Sequence, residues 1–416
     1  MADCDVLVVG AGPVGLLTAL ALAEAGATVI VVEANAAPND SPRAAAYFPT
    51  SMIVFAQLGL LDALDRRGIR VSMFGHHVPG FDFHGRISTA CMAGITYDYQ
   101  LHVGQHVLCD LVIDRLRERG MPVLFYHRLI DLHDDGTLVR ATIGTAAGAR
   151  TIDARWVIGA DGARSAVRRL AGIAWDGFTW GNHFVATNVY CDMARLGYQQ
   201  ANFQCDPING AVIAQLDDQG LWRLTYSEDA ALSPGSYRER LPERYRGFIP
   251  AGMDYEIANA SPYALHQRCS ETLRKGRILL AGDAAHTTNP CGGLGLTSGL
   301  WTGVVLADLL GAVLKGDDDG AILDRWSDER RRIFLDIVSP GAIRNKTMLE
   351  ERDYDQRRRD LDGVRPLIDD PASARLMMMF PFRVIGDPIR RGSRWAGLDP
   401  SIAAGVPLAD RHSQLA

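Results

Sequence analysis

The first 33 residues restrict the fold more than any other part of the chain. Val6-Leu-Val-Val9 is a continuous apolar run of buried-strand type, Val14 to Ala25 has helical length and strong helix formers, and Gly26 stands where that helix must end. Thr28-Val-Ile-Val-Val-Glu33 follows as a second strand. A strand, a tight turn, a helix and a strand make a βαβ unit, which needs a right-handed crossover and implies a layered α/β architecture. Between strand and helix lies Gly10-Ala-Gly12-Pro13-Val14-Gly15. Gly10 permits the turn, Gly12 lets backbone N–H groups approach a pyrophosphate, and Gly15 lets helix and strand come close; Glu33 is placed to accept from a ribose diol. The pattern predicts a dinucleotide site without separating NAD from FAD.

Composition narrows the partners. A chain of 416 residues with net charge −6 and pI near 6.0 predicts one large or two closely joined domains and argues against a polyanion, so no nucleic acid is expected. The seven cysteines are scattered without a CxxC pair, which predicts a reducing, cytoplasmic setting and no metal site. Residues 5–25 are apolar, but Asp3 and Asp5 precede them and glycines interrupt them, so neither signal peptide nor membrane span is expected there.

Further along, Leu58–Arg67 and Val107–Arg119 carry helical spacing. From about 181 to 228 the chain turns β-rich: Phe184–Tyr190, Ala211–Leu216 and Leu221–Tyr226 read as strands of a separate antiparallel sheet. A helix is expected from Gly295 to the Asp-rich turn at Gly316, and the remainder reads mostly as helix whose arginine runs at 330–332 and 357–359 are solvated faces.

Two later segments complete a set. Trp156-Val-Ile-Gly-Ala-Asp161-Gly162 places a strand before an Asp-Gly turn followed by Arg164, Ser165 and Arg168. Ile278-Leu-Leu-Ala281 precedes Gly282-Asp283, then His286, Pro290 and Gly292-Gly293-Leu294-Gly295. With the glycine fingerprint, this ordered DG and GD pair resembles the single-component FAD-dependent aromatic hydroxylases of the para-hydroxybenzoate hydroxylase fold. Together with Arg43 and Gln105, the likeness covers residues 1 to about 310.

That resemblance implies a Rossmann-like FAD-binding domain (1–75, 101–180, 268–340) interleaved with an antiparallel-sheet substrate domain (76–100, 181–267), and a mainly helical region from 341 to 416. It implies that Glu33 holds the adenosine ribose, Arg43 and Gln105 the pyrophosphate and ribityl regions, and Asp283 a ribityl hydroxyl. Asp161 and Arg164 would touch FAD and the transient path of NADH or NADPH. Pro290 would stand next to the reactive flavin carbon, while Gly292, Gly293 and Leu294 would offer helix N-terminal N–H groups to the flavin's pyrimidine end. The implied reaction is O2-dependent hydroxylation of a small aromatic substrate through a flavin C4a-hydroperoxide, by a monomer or homodimer.

Leu294, Thr297 and Trp301-Thr-Gly303 depart from the broad family and, with Asp176-Gly-Phe-Thr-Trp180, Gly220-Leu-Trp-Arg223 and His266-Gln-Arg268, resemble the subgroup acting on 4-nitrophenol and hydroxypyridines. This implies para hydroxylation, including ipso attack with loss of a substituent. A phenol attacks better when deprotonated, so a base or relay is expected in the pocket. His286 is one candidate, with fastening of its loop as the competing reading; Tyr47, Asn188 and Tyr190 are others, competing with core or surface positions. Two further classes remain open: a non-hydroxylating FAD oxidoreductase, and a FAD-fold binding protein without turnover, against which Arg164, Asp283 and Pro290 stand.

Overall fold

The computed structural model describes residues 2–39, 45–229 and 231–398. Its first layer is an eight-stranded sheet in which Cys4–Val9 pairs in parallel with Val29–Val32 on one side and Gly148–Gly159 on the other, and Gly148–Gly159 pairs in parallel with Ile278–Leu280. Where the strands pair in parallel they are almost wholly apolar and buried, as a sheet covered on both faces requires, whereas the antiparallel end of Gly148–Gly159 is charged and exposed. Register matters more than order here. Val9 lies opposite both Val32 and Gly159, and Gly159 lies opposite Leu280. The ladder continues past the strands: Gly10 N–H donates to Val32, Ala160 N–H to Val9 and Ala281 N–H to Gly159. The glycine turn, the DG turn and the GD turn therefore emerge side by side at the carboxyl edge, where open α/β sheets bind ligands.

The second layer is also eight-stranded, in the spatial order 286–287, 256–270, 175–190, 221–229, 211–215, 201–204, 73–78 and 83–88. All pairs are antiparallel except Ala201–Gln204 with Met73–Val78. One face is sealed by helix Tyr237–Tyr245 over Val185, Trp222, Leu224 and Tyr226, and the other carries Phe184 and Val212 toward the rest of the molecule. The expected domain boundaries after 75, 180 and 267 fall inside strands Met73–Val78, Trp175–Tyr190 and Glu256–Ser270, so this sheet reaches further along the chain at each end. A small three-stranded sheet of Ala46–Tyr47, Gln100–His102 and Ile69–Val71 bridges the layers.

Helix Pro13–Glu24 begins at the glycine turn and crosses the long helix Leu294–Lys315. Glycines set the closeness of that crossing: a Cβ on Gly303 would stand 2.1 Å from Thr18 Oγ1, and one on Gly299 3.0 Å from Val14 Cγ2. Thr18 donates its hydroxyl to Val14 O, so the crossing leaves no polar group unpaired. Leu294–Lys315 is long and apolar enough to cross a membrane, but 83% of its apolar window is buried, which makes it the core helix of this fold. It ends at Gly316, as expected, with φ of 80°. The helix expected over Leu58–Arg67 is shorter, Leu61–Asp65, because Gly59 turns left-handed ahead of it and separates it from a helix not expected, Pro49–Gln57. Toward the C-terminus, helices Ile322–Ile333, Ser339–Glu350, Tyr354–Asp369 and Pro371–Met379 make the chain mainly helical as far as Val384.

Gly303→Ala is expected to cost about 1–3 kcal/mol through overpacking. Adding Thr18→Ala should return part of that loss, measured as non-additivity of urea midpoints in a double-mutant cycle.

Candidate active site

The glycine turn has the shape its sequence implies. Gly10 holds φ of 111°, and a Cβ there would stand 2.4 Å from Ala160 O; a Cβ on Gly15 would meet Gly10 O at 2.2 Å. Nothing lies within 4 Å of the place a Cβ on Gly12 would take, so the helix start it caps faces open space. No side chain caps that helix, and Pro13 at its first position has no N–H to satisfy. Val14 packs inward, 3.2 Å from the place of a Cβ on Gly282. Glu33 is fixed beside the turn, accepting from Ala11 N–H at 3.0 Å and from the backbone and side-chain nitrogens of Asn35.

The DG turn is held by its own side chains. Asp161 accepts from Ser165 Oγ and from the backbone N–H groups of Ala166 and Val167, so its carboxylate caps the short helix Ala166–Leu170. Burial pushes its pKa up, and those three donors partly oppose the rise. Arg164 projects into solvent. Arg168 is buried instead, donating to Ala163 O and Ala284 O with its guanidinium 4.0 Å from the Trp175 ring centre, and so ties the DG turn to the GD turn.

In the GD segment Gly282 has φ of 59°, Asp283 is exposed at the carboxyl edge, and Pro290 is half-buried. Gly292 and Gly293 are both left-handed, at 94° and 65°; a Cβ on the first would meet Asn345 and on the second the Phe48 ring. Gly293 caps helix Leu294–Lys315 without a side-chain hydrogen bond, while buried Thr297 donates to Gly293 O and holds the turn. Gly295 is half-buried in the helix's first turn. Gln105 opens helix Gln105–Glu118 and is half-buried. Arg43 lies outside the described residues. Two helix N-termini without side-chain caps, exposed Asp283 and Glu33 beside the glycine turn, on one sheet edge, fit an elongated, doubly anionic dinucleotide such as FAD.

A cavity of about 1040 Å³ begins at this loop, with Gly292, Leu294 and Phe48 in its wall. Phe74, His76 and Phe203 come from the second sheet, and Met348, Met377 and Phe380 from the C-terminal helices. Charged groups are confined to Arg344, Glu351, Arg359, Asp360 and Arg383.

None of the four residues expected to act on substrate by proton transfer lines this cavity. His286 is 1% exposed, stacked on Phe334 at 4.8 Å with Nε2 on Thr302 Oγ1, so it fastens the loop to the core, as the competing reading had it. Tyr47 is 1% exposed and packs edge-on against Phe55, which leaves its neighbour Phe48 to face the cavity. Asn188 lies on the inward face but is taken up by Arg223 Nε at 2.9 Å, and Tyr190 is exposed at the far end of its strand. Trp222 and Tyr226 are core. Departures in the long helix also serve packing: Trp301 donates to Thr50 O, and Thr302 O accepts from Trp326.

With this geometry in place, comparison with known proteins decides the assignment. The FAD binding domain family matches residues 3–339. Para-nitrophenol 4-monooxygenase of a Pseudomonas species is 41% identical over 85% of this chain and 89% of its own length. This chain belongs to the FAD-dependent aromatic hydroxylases. The 6-hydroxy-3-succinoylpyridine 3-monooxygenase HspB of Pseudomonas putida is 36% identical over 90% of this chain and 97% of its own. The crystal structure of p-nitrophenol 4-monooxygenase PnpA from Pseudomonas putida superposes with a TM-score of 0.89 at 38% identity, covering 94% of this chain and all of that one. Aklavinone-11 hydroxylase, solved with FAD and aklavinone, superposes at 0.76 with 27% identity, covering 84% of this chain and 70% of its own. The hydroxylase fold and the FAD requirement inferred from three spaced motifs are thereby established.

Asp283→Ala should weaken FAD affinity about tenfold or more, as loss of a charged hydrogen bond would, whereas His286→Ala should retain FAD and lower the unfolding midpoint. Titration of apo-protein with FAD, read by flavin fluorescence, separates these outcomes, and the reverse pattern overturns the division of roles. Burial also lowers the pKa of His76, His102 and His286 from 6.5 to about 4. The unfolded chain therefore takes up these protons first, so stability is full above pH 6.5 and declines as pH falls toward 4. Denaturant midpoints across that window check the sign.

Proposed function

We propose that this hydroxylase acts on a small phenol or hydroxylated N-heteroaromatic, with NADH or NADPH and O2 as co-substrates, para to the ring hydroxyl and with loss of a substituent where that position is occupied. The observation that carries this reading is the wall of the cavity: aromatic and thioether side chains surround a space whose inner end is the Gly292–Leu294 loop. A flat ring held there by Phe48, Phe74 and Phe203 lies against the edge of the cofactor. The volume of about 1040 Å³ includes room for that edge as well as for substrate. Two relatives similar by sequence act, by name, on para-nitrophenol and on a hydroxypyridine.

Bound FAD would take electrons from reduced nicotinamide and supply an oxygen atom to the ring. The chain's own part is to bind, orient and keep dry. Helix Leu294–Lys315 offers its N-terminal dipole to the negative charge that reduced flavin carries at its pyrimidine end. Asp283 would hold the ribityl chain, Glu33 the adenosine ribose, and exposed Arg164 would meet the phosphates of the nicotinamide coenzyme. The apolar wall excludes water that would divert the oxygen to peroxide.

Purified protein should carry or bind FAD and oxidise NADH or NADPH faster when a substrate phenol or hydroxypyridine is added, with a hydroxylated product identified by mass spectrometry. Failure to bind FAD would sink the reading; stimulation by multi-ring substrates alone would replace the substrate class.

A further inference from the structure

Asn345 joins the wall of the cavity to the Gly292–Leu294 loop. Asn289, Thr297 and Asn345 each hydrogen-bond the backbone of residues 291–293, and of these, among the described residues, only Asn345 lines the cavity. Its Nδ2 donates to Cys291 O at 3.4 Å. The same nitrogen lies 2.4 Å from the place a Cβ on Gly292 would take, so glycine there makes room for the amide as well as for a φ of 94°. Cys291 O also fixes which way the amide faces, since an amide oxygen in that place would meet another acceptor. One N–H is thus spent, and among the described residues no acceptor takes the second.

The helix that carries Asn345, Ser339–Glu350, is held on both sides of this contact. Lys346, 2% exposed, pairs with Glu350 at 2.7 Å and sets Nζ 4.3 Å from the Trp180 ring centre. Nearer the helix start, a Cβ on Gly341 would stand 3.2 Å from Leu294 Cδ1, so the helix meets the loop a second time. Phe48, Pro49 and Leu294, which share this end of the wall, are apolar. Behind Met348 is a void of about 10 Å³, closed by His76, Cys205 and Arg357 among others; it takes at most one water, so a ring belongs in the main cavity.

We propose that Asn345 stabilises the departing substituent when the substrate carries one para to its hydroxyl. The inference rests on the phenol reading above and deepens it. A ring carbon can take oxygen only at the loop end of the cavity, so its substituent lies there too and the hydroxyl points the opposite way. For a nitro group, the carbon takes OH from the activated oxygen that the proposed reaction supplies, and the carbon–nitrogen bond breaks with its electron pair on nitrogen. The new hydroxyl gives its proton to water, nitrite departs, and the ring is left as a quinone. The substrate is oxidised by one electron pair, and the oxygen donor is reduced by the same pair. Negative charge grows on the nitro oxygens as the bond breaks, and the second N–H of Asn345 donates to it. A donor fixed in place in an apolar wall gains most in such a step.

The test uses FAD-loaded wild type, Asn345→Leu and Asn345→Asp, and compares nitrite release from 4-nitrophenol with hydroxylation of phenol, which has only hydrogen at the para carbon. Nitrite formed per NADH or NADPH consumed should fall about 10²-fold in Asn345→Leu, the scale of losing one oxyanion donor. It should fall further in Asn345→Asp, whose charge repels the departing anion, while hydroxylation of phenol falls far less. A second readout needs no turnover: a hydrogen bond to the nitro oxygens moves the absorbance of bound 4-nitrophenolate to longer wavelength, and that shift should vanish in both variants. A residue that only braced the loop would lower both reactions alike and leave the absorbance where it is, and either result overturns the proposal. Should Asn345→Leu fail to hold FAD, the isosteric Asn345→Asp decides by the same two measurements. If the wild type neither binds 4-nitrophenol nor releases nitrite from it, the substrate reading itself has failed, an outcome distinct from nitrite release that survives both substitutions.

Discussion

Two helices in this molecule can touch only where glycine lets them. Pro13–Glu24 and Leu294–Lys315 belong to segments nearly three hundred residues apart, yet Gly299 and Gly303 bring the second against Val14 and Thr18 of the first, and Gly311 meets Ala25 in the same way. Each helix begins at a glycine turn on the carboxyl edge of the parallel sheet. Fixing their crossing fixes the distance between the N-terminus proposed to take the pyrophosphate and the one proposed to take the flavin ring. The interaction is van der Waals contact at short range, so a single methyl group alters it.

The sheet register does the complementary work. Because Val9, Gly159 and Leu280 are neighbours across the ladder, three turns that are far apart in sequence become one rim. Arg168 then locks two of those turns together through backbone carbonyls. Its guanidinium is buried and its charge is offset by carbonyl dipoles and the Trp175 ring, so it serves rigidity, while the exposed Arg164 four residues earlier is left for ligands.

The cofactor half was legible in the sequence because backbone geometry dictates its residues. Glycine at 10, 15, 282, 292 and 293 answers to a positive φ or a close approach, and such demands leave a fixed spacing. Which side chains reach the cavity was not legible, because side-chain reach depends on how layers dock. His286 sits four residues before Pro290 yet points into the core, since Phe334 and Thr302 close over it. Tyr47 and Phe48 are adjacent, and only the docking of the small sheet decides which faces inward. Phe74 and His76 carried one usable signal, their alternation in the short strand Met73–Val78, but nothing local says that this face meets the cavity. The arginine run at 357–359 reads as a solvated face, and two of its three members are caught up at the cavity or the void behind it.

The FAD binding domain family's match stops at residue 339, and the part of the cavity wall from Arg344 to Arg383 lies beyond it, although individual relatives align over as much as 90% of the chain. That wall contains no glycine turn bound to the cofactor and no strand of the parallel sheet. It is helix, and helices exchange one apolar side chain for another at small cost so long as volume is kept. The molecule thus divides into a half under tight backbone constraint, which can drift little, and a half under volume constraint alone, which can drift freely. Two chains of this kind can share every cofactor contact and still part company over what they oxidise.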